Sequence, residues 1–202
     1  MSSFGIMGGT FDPIHFGHLV LAEKARESLN LQKVIFVPAA IPPHKIGEVQ
    51  TSAENRLKMT ELAIKDHPSF QVSSVEIERE GPSYSIDTIR QLKAQEHGSE
   101  AALIMGFDSL LELHTWKDYR EILTEAKIIT AFRPGYPVIN NEEDWPRFLQ
   151  PFCRQIVVLE APLLDISSTW LRVEMMYNRS IRYLVPEPVR EYIRQNKLYA
   201  SF

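Results

Sequence analysis

A single cysteine, Cys153, in 202 residues rules out an internal disulfide and a thiolate-held metal cluster. No apolar run approaches the roughly 20 residues that span a bilayer. The opening Met1-Ser2-Ser3 lacks the basic stretch and long apolar segment of a secretory signal. A soluble, cytoplasmic protein with no membrane partner is the expectation. Basic residues are not in excess: Lys and Arg number 22 against 26 Asp and Glu, a net charge of −4. That balance argues against a nucleic-acid partner, whose phosphates need a basic surface. A pocket for one nucleotide needs only local positive charge. Internal repeats, low-complexity tracts and linkers are also missing. The chain therefore reads as one domain, 1–202, with a short helical C-terminal part from about 166.

What is present is an alternation of strand-like and helix-like runs. Phe4–Met7 reads as a strand and Leu19–Leu29 as a helix. Lys33–Val37 is β-branched and ends at Pro38. Thr51, with Glu54 three residues on, has the form of a capping box opening a second helix through Arg56, Leu57, Met59, Leu62 and Ala63. Phe70–Ile77 alternates like a half-exposed strand. Ser85 is placed to cap a helix through Ile89 and Leu92 that stops at Gly98. Ala101–Met105, Lys127–Phe132 and Ile156–Leu159 are apolar strands. Pro134–Pro151 reads as a mobile excursion, and Val189–Gln195 as a terminal helix. Trp145 and Trp170 are assigned to the core. Continuous apolar strands alternating with helices predict an α/β, Rossmann-like parallel sheet with helices on both faces. Ligands in such sheets bind beyond the carboxyl ends of the strands.

The densest chemistry follows the first strand: Gly8-Gly9-Thr10-Phe11-Asp12-Pro13-Ile14-His15-Phe16-Gly17-His18. A Gly-rich turn between strand and helix converges backbone N–H groups on an anion. Gly8 and Gly9 leave room for a phosphate to approach. His15 and His18 are spaced to share a helical face. Two imidazoles beside such a turn point to charge stabilisation during transfer at phosphorus. The turn fits neither the dinucleotide fingerprint nor the P-loop. Taken alone, the histidine pair leaves a metal site or a surface accident open.

The whole stretch resembles the signature of the T/H-x-G-H nucleotidyltransferase superfamily. Ile166-Ser167-Ser168-Thr169-Trp170-Leu171-Arg172 resembles the same superfamily's C-terminal ISSTxxR motif. Within it the chain is most similar to the bacterial nicotinate-nucleotide adenylyltransferases, also through Pro42-Pro43-His44-Lys45, Tyr84-Ser85-Ile86-Asp87-Thr88, Gly106-Phe107-Asp108-Ser109 with Trp116, and Phe132-Arg133-Pro134-Gly135. The resemblance implies adenylyl transfer from ATP to nicotinate mononucleotide, giving nicotinate adenine dinucleotide and pyrophosphate, with Mg2+ carried by ATP. It leaves a homo-oligomer open.

Carried over residue by residue, the resemblance makes His15, His18, Lys45 and Arg172 the catalytic set. ATP would meet Gly8, Gly9, Thr10, Phe11, His15, His18, Gly106, Asp108, Ile166, Ser168, Thr169 and Arg172. The mononucleotide would meet Lys45, Tyr84, Ser85, Thr88, Trp116 and Arg133. On chemical grounds, Arg172 offers a fork of donors for the leaving pyrophosphate, and Asp108 an acceptor for ribose hydroxyls. Ser168 and Thr169 offer hydroxyls and helix-start N–H groups to phosphate oxygens. No carboxylate cluster is dedicated to a metal. The family often has an aromatic residue after the tryptophan, where this chain has Lys117. The alternatives are nicotinamide mononucleotide or phosphopantetheine as acceptor, or a non-catalytic nucleotide-sensing protein. A class I aminoacyl-tRNA synthetase shares the ancestral motif, but this chain is too short and lacks its lysine-serine-lysine loop.

Overall fold

The computed structural model describes residues 3–42, 51–131, 139, 141–160 and 164–199. Six strands, β1 (Ser3–Gly9), β2 (Lys33–Pro38), β3 (Phe70–Val72), β4 (Glu100–Ile104), β5 (Ala126–Ala131) and β6 (Ile156–Leu159), form one sheet in the order β3-β2-β1-β4-β5-β6. β1 pairs parallel with β4 from Ser3↔Glu100 to Ile6↔Leu103, and β4–β5 and β5–β6 are parallel too. This is the expected α/β, Rossmann-like class. The chain winds one way from β1 to β3 and the other way from β4 to β6, so β1 and β4 flank the topological switch where such sheets bind ligands.

The helices are α1 (Phe16–Ser28), α2 (Ala53–Ile64), α3 (Val75–Glu78), α4 (Ser85–Gln95), α5 (Phe107–Leu111), α6 (Tyr119–Glu125), α7 (Ser168–Met176) and α8 (Glu187–Gln195). The chain forms two compact units, each discontinuous in sequence. The first holds Met1–Gly8, Val20–Val34 and Tyr84–Leu163; the second holds Gly9–Leu19, Ile35–Ser83 and Leu164–Phe202. In the first, Ile6, Leu103, Ile104, Ile128 and Ile129 fill the sheet core beneath Ile89 and Leu92 of α4. In the second, Phe11, Phe36 and Phe70 pack in a tilted series with ring centroids 6.0 and 5.2 Å apart.

Several sequence expectations change. The cap of α2 is Ser52, whose hydroxyl accepts from the Asn55 N–H, because Thr51 turns its hydroxyl to Asp12 instead. The predicted strand Phe70–Ile77 stops at Val72, and Val75–Glu78 turns helical. Ser85 is the first residue of α4 rather than its cap, a place taken by Tyr84 with no side-chain hydrogen bond. Trp145 is core, beside Phe107, and Leu149 is buried with it, so this half of the expected excursion is packed. Trp170 is 45% exposed, since α7 turns Leu171 and Arg172 inward and residue 170 lies on the other side.

The second unit is organised around a buried cation. Arg56 of α2 is 1% exposed. Its Nη1 donates to the carbonyls of Thr10 (2.8 Å) and Ala39 (2.6 Å), its Nη2 to Ala40 (3.2 Å) and its Nε to Thr51 (3.4 Å). It stitches together the chain after β1, the chain after β2 and the entry to α2. Burial pulls the guanidinium below its ordinary pKa, and the Asp12 carboxylate pushes it back up. Replacing it with Met would leave buried carbonyls without their donor and Asp12 without a compensating charge. Arg56→Met should therefore cost about 3–5 kcal/mol, read from urea midpoints at constant slope; a loss under about 1 kcal/mol would contradict this role.

Candidate active site

The turn after β1 is built by close approach. A Cβ on Gly9 would lie 2.8 Å from the Phe11 ring, which folds back over it. Phe11 achieves this with a left-handed backbone, φ 51°. Its buried ring meets the edge of His18 at 5.1 Å, so only its main chain is left to face a ligand. Gly8 has open space where a Cβ would be, which suits approach of an anion. α1 begins at Phe16, so His15 stands just before the helix rather than on its face.

The histidines nevertheless meet. Their rings stack with centroids 3.7 Å apart and planes at 26°. The His15 backbone N–H donates to His18 Nδ1 at 3.2 Å. A backbone amide can only donate, so Nδ1 of His18 carries the lone pair and neutral His18 holds its proton on Nε2. The half-buried His18 is thereby a fixed donor, and His15, buried beneath it, is its support. Gly17 leaves room for this stack, since a Cβ there would lie 3.0 Å from His15 Nδ1 and the ring would have to shift by a few tenths of an ångström.

α7 docks directly on this turn. Ser168 Oγ donates to the Pro13 carbonyl at 2.9 Å, and Arg172 Nη1 to the Asp12 carbonyl at 2.9 Å. The two sequence motifs, one near each end of the chain, are thus one structure. The helix is capped by Ser167, whose hydroxyl accepts from the Trp170 N–H at 3.1 Å. The N–H groups of Ser168 and Thr169 lie in the first turn, which has no carbonyl of its own to offer them. The Ser168 hydroxyl proton is engaged with Pro13, so what Ser168 presents is its backbone N–H. Arg172 is buried, with Nη2 on Thr169 Oγ1 at 3.3 Å. Its Nε–H is buried without a hydrogen-bond partner among the described residues. Ile166 is buried just before the helix.

The first unit carries the remaining described candidates. Gly106 caps α5 just after β4, with Asp108 half-buried in the first turn. Trp116 is half-buried, and Lys117 beside it ties its segment to the start of α4. Lys117 Nζ lies 3.3 Å from Asp87 Oδ2 and 4.6 Å from the Tyr84 ring centroid. Tyr84-Ser85-Ile86-Asp87-Thr88 and Trp116-Lys117, predicted separately, are therefore neighbours. Thr88 is buried and bonds back to the Tyr84 carbonyl at 3.3 Å. Ser85 is half-buried at the uncapped helix start. Lys45 and Arg133 lie outside the described residues. Among the described residues no group of three or more His, Cys, Asp or Glu is placed to hold a metal ion.

Residues 6–174 match the cytidylyltransferase-like family model. The chain is 49% identical over 197 residues to a "Probable nicotinate-nucleotide adenylyltransferase" of Moorella thermoacetica, covering 96% of this chain and 90% of that one. A protein of the same name from Exiguobacterium sibiricum is 44% identical over 197 residues, covering 98% of both. The chain belongs to the nicotinate-nucleotide adenylyltransferase family. The fold agrees with that of the Plasmodium falciparum nicotinic acid mononucleotide adenylyltransferase in complex with NaAD, at TM-score 0.79 and 16% identity over 98% of each chain.

Within this family site, sequence reasoning passed over Asp12, Thr51, Arg56 and Tyr199. Asp12 stood inside the motif but showed only a short acidic side chain. Arg56 stood in an apolar helical run, where a buried charge was the available signal. Thr51 looked like a helix cap, and Tyr199 had no pattern around it.

Because His18 is a donor held by stacking and one amide hydrogen bond, His18→Ala should lower turnover by about 100-fold or more in a folded protein. Gly17→Ala should lose part of the same rate through the displaced His15 ring. Steady-state kinetics on both variants checks this, and unchanged turnover in His18→Ala would contradict it.

Proposed function

We infer that the protein transfers the adenylyl group of ATP to nicotinate mononucleotide, releasing pyrophosphate and forming nicotinate adenine dinucleotide. It is a nucleotidyltransferase of NAD biosynthesis. The observation that carries this reading is the direct docking of α7 on the Asp12-Pro13 turn, which unites donors from both motifs.

The reaction needs no nucleophile from the protein. A phosphate oxygen of the mononucleotide attacks the α-phosphorus of ATP, the new P–O bond forms, and the α–β bridge breaks in line. Catalysis is positioning plus stabilisation of charge on the phosphoryl oxygens and the leaving group. His18 Nε2–H serves the transferred group, and the N–H groups of Ser168 and Thr169 serve the β- and γ-phosphates. Arg172, buried and bonded to Asp12, acts first by holding α7 against the turn and adds its positive charge to that region. Mg2+ would come bound to the polyphosphate of ATP and would supply neutralisation of its charge. The carbonyl-binding, donor-rich character of the described side chains fits a substrate-borne metal better than a resident one. Lys45 is assigned to the junction of the two substrates and Arg133 to the mononucleotide.

The acceptor's ring is assigned to Trp116 and its carboxylate to the N–H groups at the start of α4. No side chain caps that helix, which supports an anion there. Lys117, replacing an aromatic residue, adds an ammonium beside Tyr84 and favours the acid further. The described helices include none long and apolar enough to cross a membrane, and a cytoplasmic setting is the simplest one for this chemistry.

A carboxylate accepts from these donors, whereas an amide would turn an NH2 toward them. Each mispaired group costs about 1–3 kcal/mol, so kcat/KM should favour nicotinate over nicotinamide mononucleotide by about 100-fold or more. Pyrophosphate release with the two mononucleotides and phosphopantetheine measures this. Equal rates with acid and amide would remove the carboxylate site. Release with phosphopantetheine alone would overturn the assignment, and release with none would favour a sensing protein.

A further inference from the structure

We propose that Tyr199, in the tail beyond α8, is a positioning residue for the phosphate-binding segment Gly9–His18, acting through the carboxylate of Asp12. This rests on the reading of that segment and α7 as the phosphate site. The Tyr199 hydroxyl donates to Asp12 Oδ1 at 2.6 Å, across 187 positions of sequence. Thr51 Oγ1 donates to the same oxygen at 2.6 Å, and the two hydroxyl oxygens lie 3.5 Å apart. Asp12 is 1% exposed, so these hydroxyls stand where water would otherwise solvate the carboxylate.

The same residue is gripped from its other side. The Asp12 carbonyl accepts from Arg172, and the next carbonyl, Pro13, from Ser168. His15 follows two residues later. Tyr199 thus holds the side chain of the residue whose main chain α7 holds, immediately before the histidine stack. The tail adopts a strained path to do this. Lys197 and Tyr199 both have left-handed backbones, φ 51° and 63°, which a non-glycine residue keeps only when its surroundings fix it. A tyrosine needed only to fill the core could turn its hydroxyl elsewhere or be replaced by phenylalanine. Burial and the neighbouring Asp12 carboxylate raise the Tyr199 pKa well above its ordinary value, so the phenol stays a donor through the working pH range. Thr51 stands just before the Ser52 cap of α2, so its hydroxyl gives the carboxylate a second tether, to the entry of that helix.

The test uses the full chain with Tyr199→Phe, which removes one oxygen, and Tyr192→Phe as control. Tyr192 also joins the C-terminal part to α2, through Asn55 at 2.8 Å, but away from Asp12. Amide hydrogen exchange is read at Phe16 and His18, whose N–H groups bond to Leu184 and His15, with β4 and β5 as internal references. In Tyr199→Phe these two amides should exchange faster while β4 and β5 stay protected. Its kcat should fall about 10-fold or more, as misplacement of a reacting geometry does, with KM for nicotinate mononucleotide essentially unchanged. Tyr192→Phe should lower stability without either effect. Thr51→Val should share the Tyr199→Phe phenotype, and the double variant should lose less than the product of the two single losses. Thr51→Val carries the test if Tyr199→Phe does not fold. Unaltered exchange and kcat in Tyr199→Phe would overturn the proposal, as would the same losses in Tyr192→Phe. A wild-type protein that releases no pyrophosphate from ATP and nicotinate mononucleotide would defeat the functional reading separately. The exchange comparison would then decide the role of Tyr199 by itself.

Discussion

The buried carboxylate of Asp12 is the constraint around which the second unit is arranged. Removing a carboxylate from water costs several kcal/mol unless charge and hydrogen bonds compensate it. Here the compensation comes from two distant parts of the chain: Thr51 and the Arg56 guanidinium at the start of α2, the latter with a pKa that registers the charge of Asp12, and Tyr199 after α8. Each contributor also fixes something else. Arg56 ties the ends of two strands to the entry of α2 through four carbonyls, and Arg172 reaches the main chain of Asp12 itself. The turn after β1 is consequently held from several directions by the protein's own groups. Preorganisation of this kind lets donors stabilise a transferring phosphoryl group without reorganising during the reaction.

A division of labour follows. Residues that a sequence motif invites one to call catalytic are partly scaffold: His15 supports His18, Ser168 bonds to Pro13, and Arg172 locks α7 to the turn. Under the proposed function the groups assigned to substrate are fewer and simpler, chiefly His18 Nε2–H and backbone N–H groups at helix starts. That suits chemistry in which the acceptor brings its own nucleophilic oxygen. Selectivity for the acceptor is assigned, in the same proposal, to Tyr84, Ser85 and Trp116, and Lys117 joins the segment of Trp116 to Tyr84 and Asp87.

Much of this was legible in the sequence because local patterns carried it. The apolar strands, the Gly-Gly turn, the pair of motifs and the helices at Ser168 and Glu187 all have short-range signatures. Failures came where distant partners outcompeted local preference. Thr51 had the pattern of a cap, but its hydroxyl found Asp12 and Ser52 took the role. The alternation Phe70–Ile77 was too short to decide between strand and helix, and it broke at Val72. The expectation that Trp170 is core fails because the inward positions of α7 are 171 and 172. The stacking of two histidines before a helix, and the hydroxyl of Tyr199 on Asp12, depend on tertiary placement that no local pattern encodes.

In the proposed function the framework positions one direct displacement at phosphorus and supplies no nucleophile of its own. The stereochemical course at the α-phosphorus separates this from a covalent route. With ATP carrying a chiral α-thiophosphate, the dinucleotide formed with nicotinate mononucleotide should show inversion of configuration, as a single in-line displacement requires. Retention would mean two displacements through an adenylylated side chain, and would contradict direct transfer.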